Sequence, residues 1–363
     1  MHPSRSAFRG LALAAALAIV AASCTTGSAS TAPTAVATPV PSNLILVPTP
    51  SASVTPSASP PTAPVALTVG LGYIPSVQFA QFYLADQAGY YRDAGLTVDL
   101  QNGRDADLVT LIGQGAIDIG NSDGTSVIPA VSQGIPIVYA ATIYGQFPSI
   151  VLAKADSGIK TAADLKGKKI GTPGKYGSSW IMLQALLGSA NLTTNDVTIV
   201  EYPDYGQATA LQQGAVDAAT GFANNEPIQL RKAGIEPVVL TVDAIVPLPG
   251  PGLVTGTTTL SAKHDALAAF TAATIHAMND IAADPQKGLD ATFKAVPDLA
   301  QDPDLQKQIL DATIATWKNT RTNSPYGVID YDGWKASLEY MTTLGLVPNP
   351  VTVDQLVTNS LLP

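Results

Sequence analysis

The 363 residues carry 19 basic and 28 acidic side chains, a formal net charge of −9, and a single cysteine. An acidic chain without clustered Lys or Arg repels nucleic acid, and one cysteine excludes an intramolecular disulfide and a thiolate metal site. Stability must come from an apolar core, which a chain of this length can bury.

Arg5 and Arg9 precede an unbroken apolar run, Leu11 to Val20. The run is shorter than the ~20 residues a membrane-spanning helix needs, and it fits the h-region of a secretion signal over residues 1–23. Ala21-Ala22-Ser23 then leads directly to Cys24. A lone cysteine after a small-residue cleavage site resembles a bacterial lipobox, so Cys24 is the expected lipid anchor, holding the chain on the extracytoplasmic face of the cell membrane. The other reading is a soluble secreted protein with an incidental cysteine. Two of the 19 basic residues lie in this leader, leaving 17 against 28 acidic ones. Residues 24–64 are rich in Ser, Thr, Ala, Pro and Val and carry no charge. Such a segment buries too little apolar area to offset its ordering entropy, and it predicts a disordered tether of roughly 35 Å as a coil.

From Val65 the pattern changes. Val65–Val69 predicts a strand, Gly70–Pro75 a loop, and Val77–Ala88 a helix ending at Gly89. Further strands are predicted at Thr97–Leu100, Ala116–Ile119, Ile137–Ala141, Lys169–Thr172, Val197–Val200, Ala215–Thr220 and Val238–Thr241, separated by helical patterns. This alternation predicts α/β lobes with mainly parallel sheets. From Lys263 the pattern is helical, with Trp317 and Trp334 as packing anchors.

An internal repeat is the most informative feature. Thr97–Gly120 and Asp196–Ala219 align without a gap at a shift of 99 positions. Each runs strand, polar loop, helix, Gln-Gly-Ala-Ile/Val-Asp and strand, and the same shift aligns Leu71-Gly72 with Ile170-Gly171. Two similar lobes predict a cleft, entered by the loops after the carboxyl ends of the strands. The expected boundaries are 65–153 plus 250–363 for the first lobe and 154–249 for the second, with Pro249-Gly250-Pro251-Gly252 near the return crossing.

Four loops are expected to line that cleft: Gly72–Phe79, Gly120–Gly124, Gly174–Ser179 and Phe222–Pro227. Tyr73, Tyr144, Phe147, Tyr176 and Phe222 offer apolar faces for a planar ligand. Gln78, Asn121, Asp123, Ser178, Asn225 and Glu226 offer orienting hydrogen bonds. Asn224 and Asn225 are also candidate helix caps ahead of Pro227. Gly120-x-Ser122-x-Gly124 matches the nucleophile-elbow pattern of hydrolases, but only His264 and His276 follow, both in a helical stretch. Lys175 before a helix start is either an anion holder or a solvated lysine. No phosphate-binding loop, dinucleotide fingerprint or metal-ligand spacing stands out, and neither a cofactor nor a metal is expected.

These residues resemble a known family. Gly72-Tyr73-Ile74-Pro75, then Leu84-Ala85-Asp86-Gln87-Ala88-Gly89-Tyr90-Tyr91 and Gly95-Leu96-Thr97-Val98, resemble the opening of the NMT1/THI5-like solute-binding proteins. Thr161-Ala162-Ala163-Asp164-Leu165-Lys166-Gly167-Lys168-Lys169-Ile170-Gly171 and Gln213-Gly214-Ala215-Val216-Asp217-Ala218 resemble the second lobe of that family. The resemblance implies a type II periplasmic-binding-protein fold, two α/β lobes closing on one small molecule. It also implies a monomeric binder that is not an enzyme and hands its ligand to the permease and ATPase of an ABC importer. Tyr73–Phe79 with Asn224-Asn225-Glu226-Pro227 looks most like the vitamin-precursor branch, which takes riboflavin or the thiamine pyrimidine. Sulfonate, taurine or nitrate is the alternative ligand. The fungal relatives that make the thiamine pyrimidine use a cysteine-rich motif and a histidine absent from this chain.

Overall fold

The computed structural model describes residues 63–363. The expected signal sequence, Cys24 and nearly all of the expected tether lie outside the described residues.

The chain builds two five-stranded sheets. The first lobe opens with β1 (Val65–Leu71), α1 (Ala80–Gln87), the short α2 (Tyr90–Asp93), β2 (Leu96–Asn102), α3 (Asp105–Gly113), β3 (Ile119–Asp123), α4 (Gly124–Ser132) and β4 (Ile137–Thr142). The second sheet takes β5 (Ser149–Lys154), β6 (Lys169–Thr172), α5 (Gly177–Ser189), β7 (Thr198–Glu201), α6 (Gln207–Gln213), β8 (Ala218–Phe222), α7 (Glu226–Lys232) and β9 (Pro237–Leu240). The chain then returns through β10 (Pro251–Gly256). It finishes with α8 (Thr257–Ala283), α9 (Pro285–Ala295), α10 (Pro303–Trp317), α11 (Tyr331–Thr343) and α12 (Val353–Leu356). No described helix is long and apolar enough to cross a membrane.

Strand order is β2-β1-β3-β10-β4 in one sheet and β7-β6-β8-β5-β9 in the other. β10 lies antiparallel between β3 and β4, and β5 lies antiparallel between β8 and β9. The direction has a simple cause. The other strands point their carboxyl ends at the opposite lobe, so a strand arriving from that lobe starts at that end and must run backwards. The 99-residue shift carries β3 onto β8 residue for residue and places β4 over β9, so the repeat extends beyond the segment visible in sequence.

Both faces of each sheet are covered, which is why β4 and β10 are buried along their whole length. Leu67, Val69, Phe82, Phe270, Met278 and Trp317 pack one face of the first sheet. Ile150, Leu152, Leu211 and Leu230 fill one face of the second. A third cluster joins Ile112, Val127 and Tyr139 of the first lobe to Ile170, Met182 and Leu187 of the second, with Trp334, Met341 and Leu356 of the C-terminal segment inside it. Both tryptophans expected as anchors are buried.

Three expectations need correction. β5 belongs to the second sheet, so residues 149–153 lie there rather than in the first lobe. β3 and β8 run on to Asp123 and Phe222, so the expected loop at Gly120–Asp123 is strand. Its polar residues pair with β10, Asn121 opposite Leu253, a partner 132 positions away that local pattern does not reveal. The C-terminal helical region starts at Thr257, six residues before Lys263, where the helix is kinked.

Candidate functional site

The carboxyl ends of β1, β3, β6 and β8 converge on a cleft whose empty space, open solvent included, is about 780 Å³. Ten of the eleven side chains expected from sequence line it: Tyr73, Gln78, Asn121, Asp123, Tyr144, Tyr176, Ser178, Phe222, Asn225 and Glu226. Phe147 does not. The Gly145–Pro148 connection is tied to α10 through Gln146 N–H on the Thr316 carbonyl, at 3.0 Å, and Phe147 lines a separate groove with Trp334, Pro247 and Pro249.

The first-lobe wall is built around Asp105, the first residue of α3. Its carboxylate accepts the Ser122 hydroxyl in a short hydrogen bond, the Asp123 N–H at 2.9 Å and the Ser126 hydroxyl at 2.7 Å. Asp123 reaches the other lobe, accepting the Ser178 N–H at the start of α5 on Oδ2 at 2.9 Å. Burial raises the Asp105 carboxyl, and burial together with the neighbouring Asp105 charge pushes Asp123 up to about 7.

On the second-lobe wall, Glu226 folds back over the end of β8 and accepts the Phe222 N–H at 2.7 Å. Gly221 leaves the room for this, because a Cβ there would press on the Glu226 side chain. Burial pushes Glu226 up to about 7. Tyr73 meets Tyr205 edge to face across the cleft, centroids 4.6 Å apart. Burial, and then the Glu226 charge, raise the Tyr73 hydroxyl well above its ordinary value. Asn225 accepts the Gln229 amide on Oδ1 at 2.8 Å.

The lobes are bridged elsewhere too. Asn224, 1% exposed, sends Nδ2 to Gln78 Oε1 at 2.9 Å, Thr313 Oγ1 at 2.8 Å and Tyr144 Oη at 3.3 Å. Lys232 on α7 pairs with Asp302, the cap of α10. Asn224 therefore joins the lobes rather than capping α7, and the cap position falls to Asn225, which makes no side-chain cap bond.

Sequence reasoning missed Asp105, Tyr205 and Gln207 as lining residues. A signal was available: all three sit in or just after the polar loop inside the repeat, between its first strand and its helix. That junction also opens at the carboxyl end of a strand.

Among the described residues, no Lys, Arg or His lines the cleft. Lys175 is exposed and pairs with Glu201 at 3.8 Å, while Arg104 is paired with Asp107. The polar groups left without protein partners include Asn121 Oδ1, Gln207 Oε1 and the Tyr176 hydroxyl. Ser122 donates to Asp105, whereas His264 contacts Asp265 and His276 packs on Tyr90. Among the described residues, neither histidine serves Ser122 as the base that a nucleophile elbow requires.

Comparisons with known proteins agree with this architecture. The riboflavin-binding protein RibY of Chloroflexus aurantiacus is 31% identical over 330 residues, covering 87% of this chain and 93% of the relative. A 4-amino-5-hydroxymethyl-2-methylpyrimidine phosphate synthase of Aspergillus parasiticus is 31% identical over 154 residues, only 42% of this chain and 44% of the enzyme. The periplasmic aliphatic sulphonate-binding protein SsuA of Escherichia coli superposes with a TM-score of 0.64 at 18% identity, over 82% of this chain and 99% of that one. The two lobes are therefore those of the periplasmic-binding-protein fold. The NMT1/THI5-like description matches residues 76–288, and with the near full-length similarity to RibY it places this chain in the NMT1/THI5-like family.

Proposed function

We propose that this protein is the extracytoplasmic solute-binding component of an ABC importer, that it binds a small planar heterocycle, and that riboflavin is the first candidate ahead of a thiamine pyrimidine precursor. One observation carries the reading: the cleft combines aromatic walls (Tyr73, Tyr176, Tyr205, Phe222) with carboxyl and amide groups and, among the described residues, no cationic side chain. Planar rings gain from aromatic faces, and hydrogen-bond acceptors match the ring and side-chain donors of such ligands. The extent of similarity to a riboflavin-binding protein supports the same choice. A sulfonate or nitrate would enter a site holding Asp105, Asp123 and Glu226 without a fixed positive partner.

In this reading the first lobe comprises β1–β4, β10 and the chain after it, and the second comprises β5–β9. The chain acts as a monomer. Cys24 carries the lipid, residues 24–64 form the tether, and the closed lobes present the ligand to permease and ATPase partners. The protein binds and does not turn over its ligand. A thermal-shift panel of riboflavin, hydroxymethylpyrimidine, taurine and nitrate tests it. Stabilisation by either heterocycle is the expected result, and stabilisation by an anion alone overturns it.

A further inference from the structure

We propose that the corner formed by Asn121 and Asp123 is a subsite for vicinal hydroxyls, which receives the polyol tail of a flavin-class ligand. This rests on the flavin reading above and assigns one end of the cleft within it.

Unused hydrogen-bonding capacity marks this corner. Asn121 is 6% exposed, and its Oδ1 has no partner among the described residues. A buried carbonyl oxygen left unpaired is costly, and this one lines the cleft. Beside it Asp123 accepts the Ser178 N–H on Oδ2, and the Ser178 hydroxyl also stands at this carboxyl, which lines the cleft. Asp105 differs, because three protein donors already occupy its carboxylate. It is a positioning residue that fixes Ser122, Asp123 and Ser126.

This corner thus offers the open Asn121 amide, donor and acceptor together, beside the Asp123 carboxyl, and among the described residues no Lys, Arg or His lines the cleft. The pyrimidine edge of a flavin presents carbonyl, N–H, carbonyl. Placed here, one carbonyl could meet the Asn121 amide N–H, but the other would face the Asp123 carboxyl. A chain of hydroxyls presents a donor and an acceptor at every carbon and can meet both the Asn121 amide and the Asp123 carboxyl. Carboxylates recognise ribose hydroxyls in dinucleotide sites by the same pairing. The ring then lies toward the aromatic groups, where the opposite wall holds an unpartnered Gln207 Oε1 suited to the single ring N–H.

The test compares riboflavin with lumiflavin, which keeps the ring and replaces the tail by a methyl group. The full chain is titrated with each while flavin fluorescence is followed. The wild type is expected to bind riboflavin on the order of ten-fold more tightly than lumiflavin, two charge-assisted or neutral hydrogen bonds' worth. Asn121→Ala removes an atom with no protein partner, so the fold has no bond to lose. It should weaken riboflavin roughly five-fold and leave lumiflavin within about two-fold. Asp123→Asn, which keeps an acceptor for Ser178, should narrow the preference in the same direction. Equal affinity of the wild type for the two flavins overturns the subsite alone, as does an equal loss for both in Asn121→Ala. Binding of neither flavin overturns the flavin reading, and the subsite with it.

Discussion

Asn224 offers the sharpest test of how the lobes are held together. It does not line the cleft, yet its amide nitrogen spans from the second lobe to Gln78, Tyr144 and Thr313. An NH₂ group has two hydrogens, so the three acceptors share two bonds' worth of stabilisation. At about 1 kcal/mol each, and with the buried, unpartnered Asn224 Oδ1 offsetting part of the gain, Asn224→Ala should cost the closed arrangement at most about 2 kcal/mol, because the open one hydrates the same groups. That shifts the closing equilibrium by at most roughly 30-fold. If the ligand-free chain is mainly open, the whole factor appears in the ligand Kd; if it is mainly closed, the shift appears as a larger radius of gyration. Ligand titration and small-angle scattering on the same preparation capture both cases. A folded Asn224→Ala protein with unchanged affinity and an unchanged scattering profile refutes the reasoning.

Glu226 and Asp123 set a pH dependence. Both are pushed up to about 7 by burial, above the ordinary carboxyl range that they take when unfolded. The folded chain therefore holds protons that the unfolded chain releases, so stability is full at low pH and falls as pH rises through 7. Urea unfolding of the ligand-free protein should show a loss of up to about 3 kcal/mol from the Glu226 shift between pH 5 and pH 8, and Glu226→Gln should flatten part of that slope. Lys175→Ala should leave ligand affinity unchanged within about two-fold, since an exposed ion pair contributes little; a large loss measured by titration would revive the anion reading. Trp334→Ala removes a buried ring packed 4.8 Å from Tyr139 and should lower stability by about 3–5 kcal/mol in chemical denaturation. Gly252→Ala should lower Tm, because a Cβ there meets the Tyr139 ring and the Ala141 carbonyl.

The alternation of strands and helices was legible because it is local: apolar runs stop at glycines and polar loops, and the 99-residue shift repeats them. Pairing over long sequence distance was not legible. β5 and β10 are strands because each enters the opposite sheet, a fact absent from Ser149–Lys154 or Pro251–Gly256 read alone. The same long-range pairing drew Asn121, Ser122 and Asp123 out of an expected loop into β3. The cleft residues were legible where a strand's carboxyl end could be located, as at Tyr73, Asp123, Tyr176 and Glu226. Asp105, Tyr205 and Gln207 follow the same rule at the β2–α3 and β7–α6 junctions, where the rule was not carried through. Phe147, on the connection between β4 and β5, instead lines another groove.

The central claim is that the cleft takes one planar, uncharged heterocycle, with riboflavin first. Equilibrium dialysis of the full chain against riboflavin, with taurine in a parallel cell, addresses it most directly. The expected result is saturable binding of riboflavin at one per chain, undiminished by excess taurine. Retention of taurine with no retention of riboflavin would contradict the account.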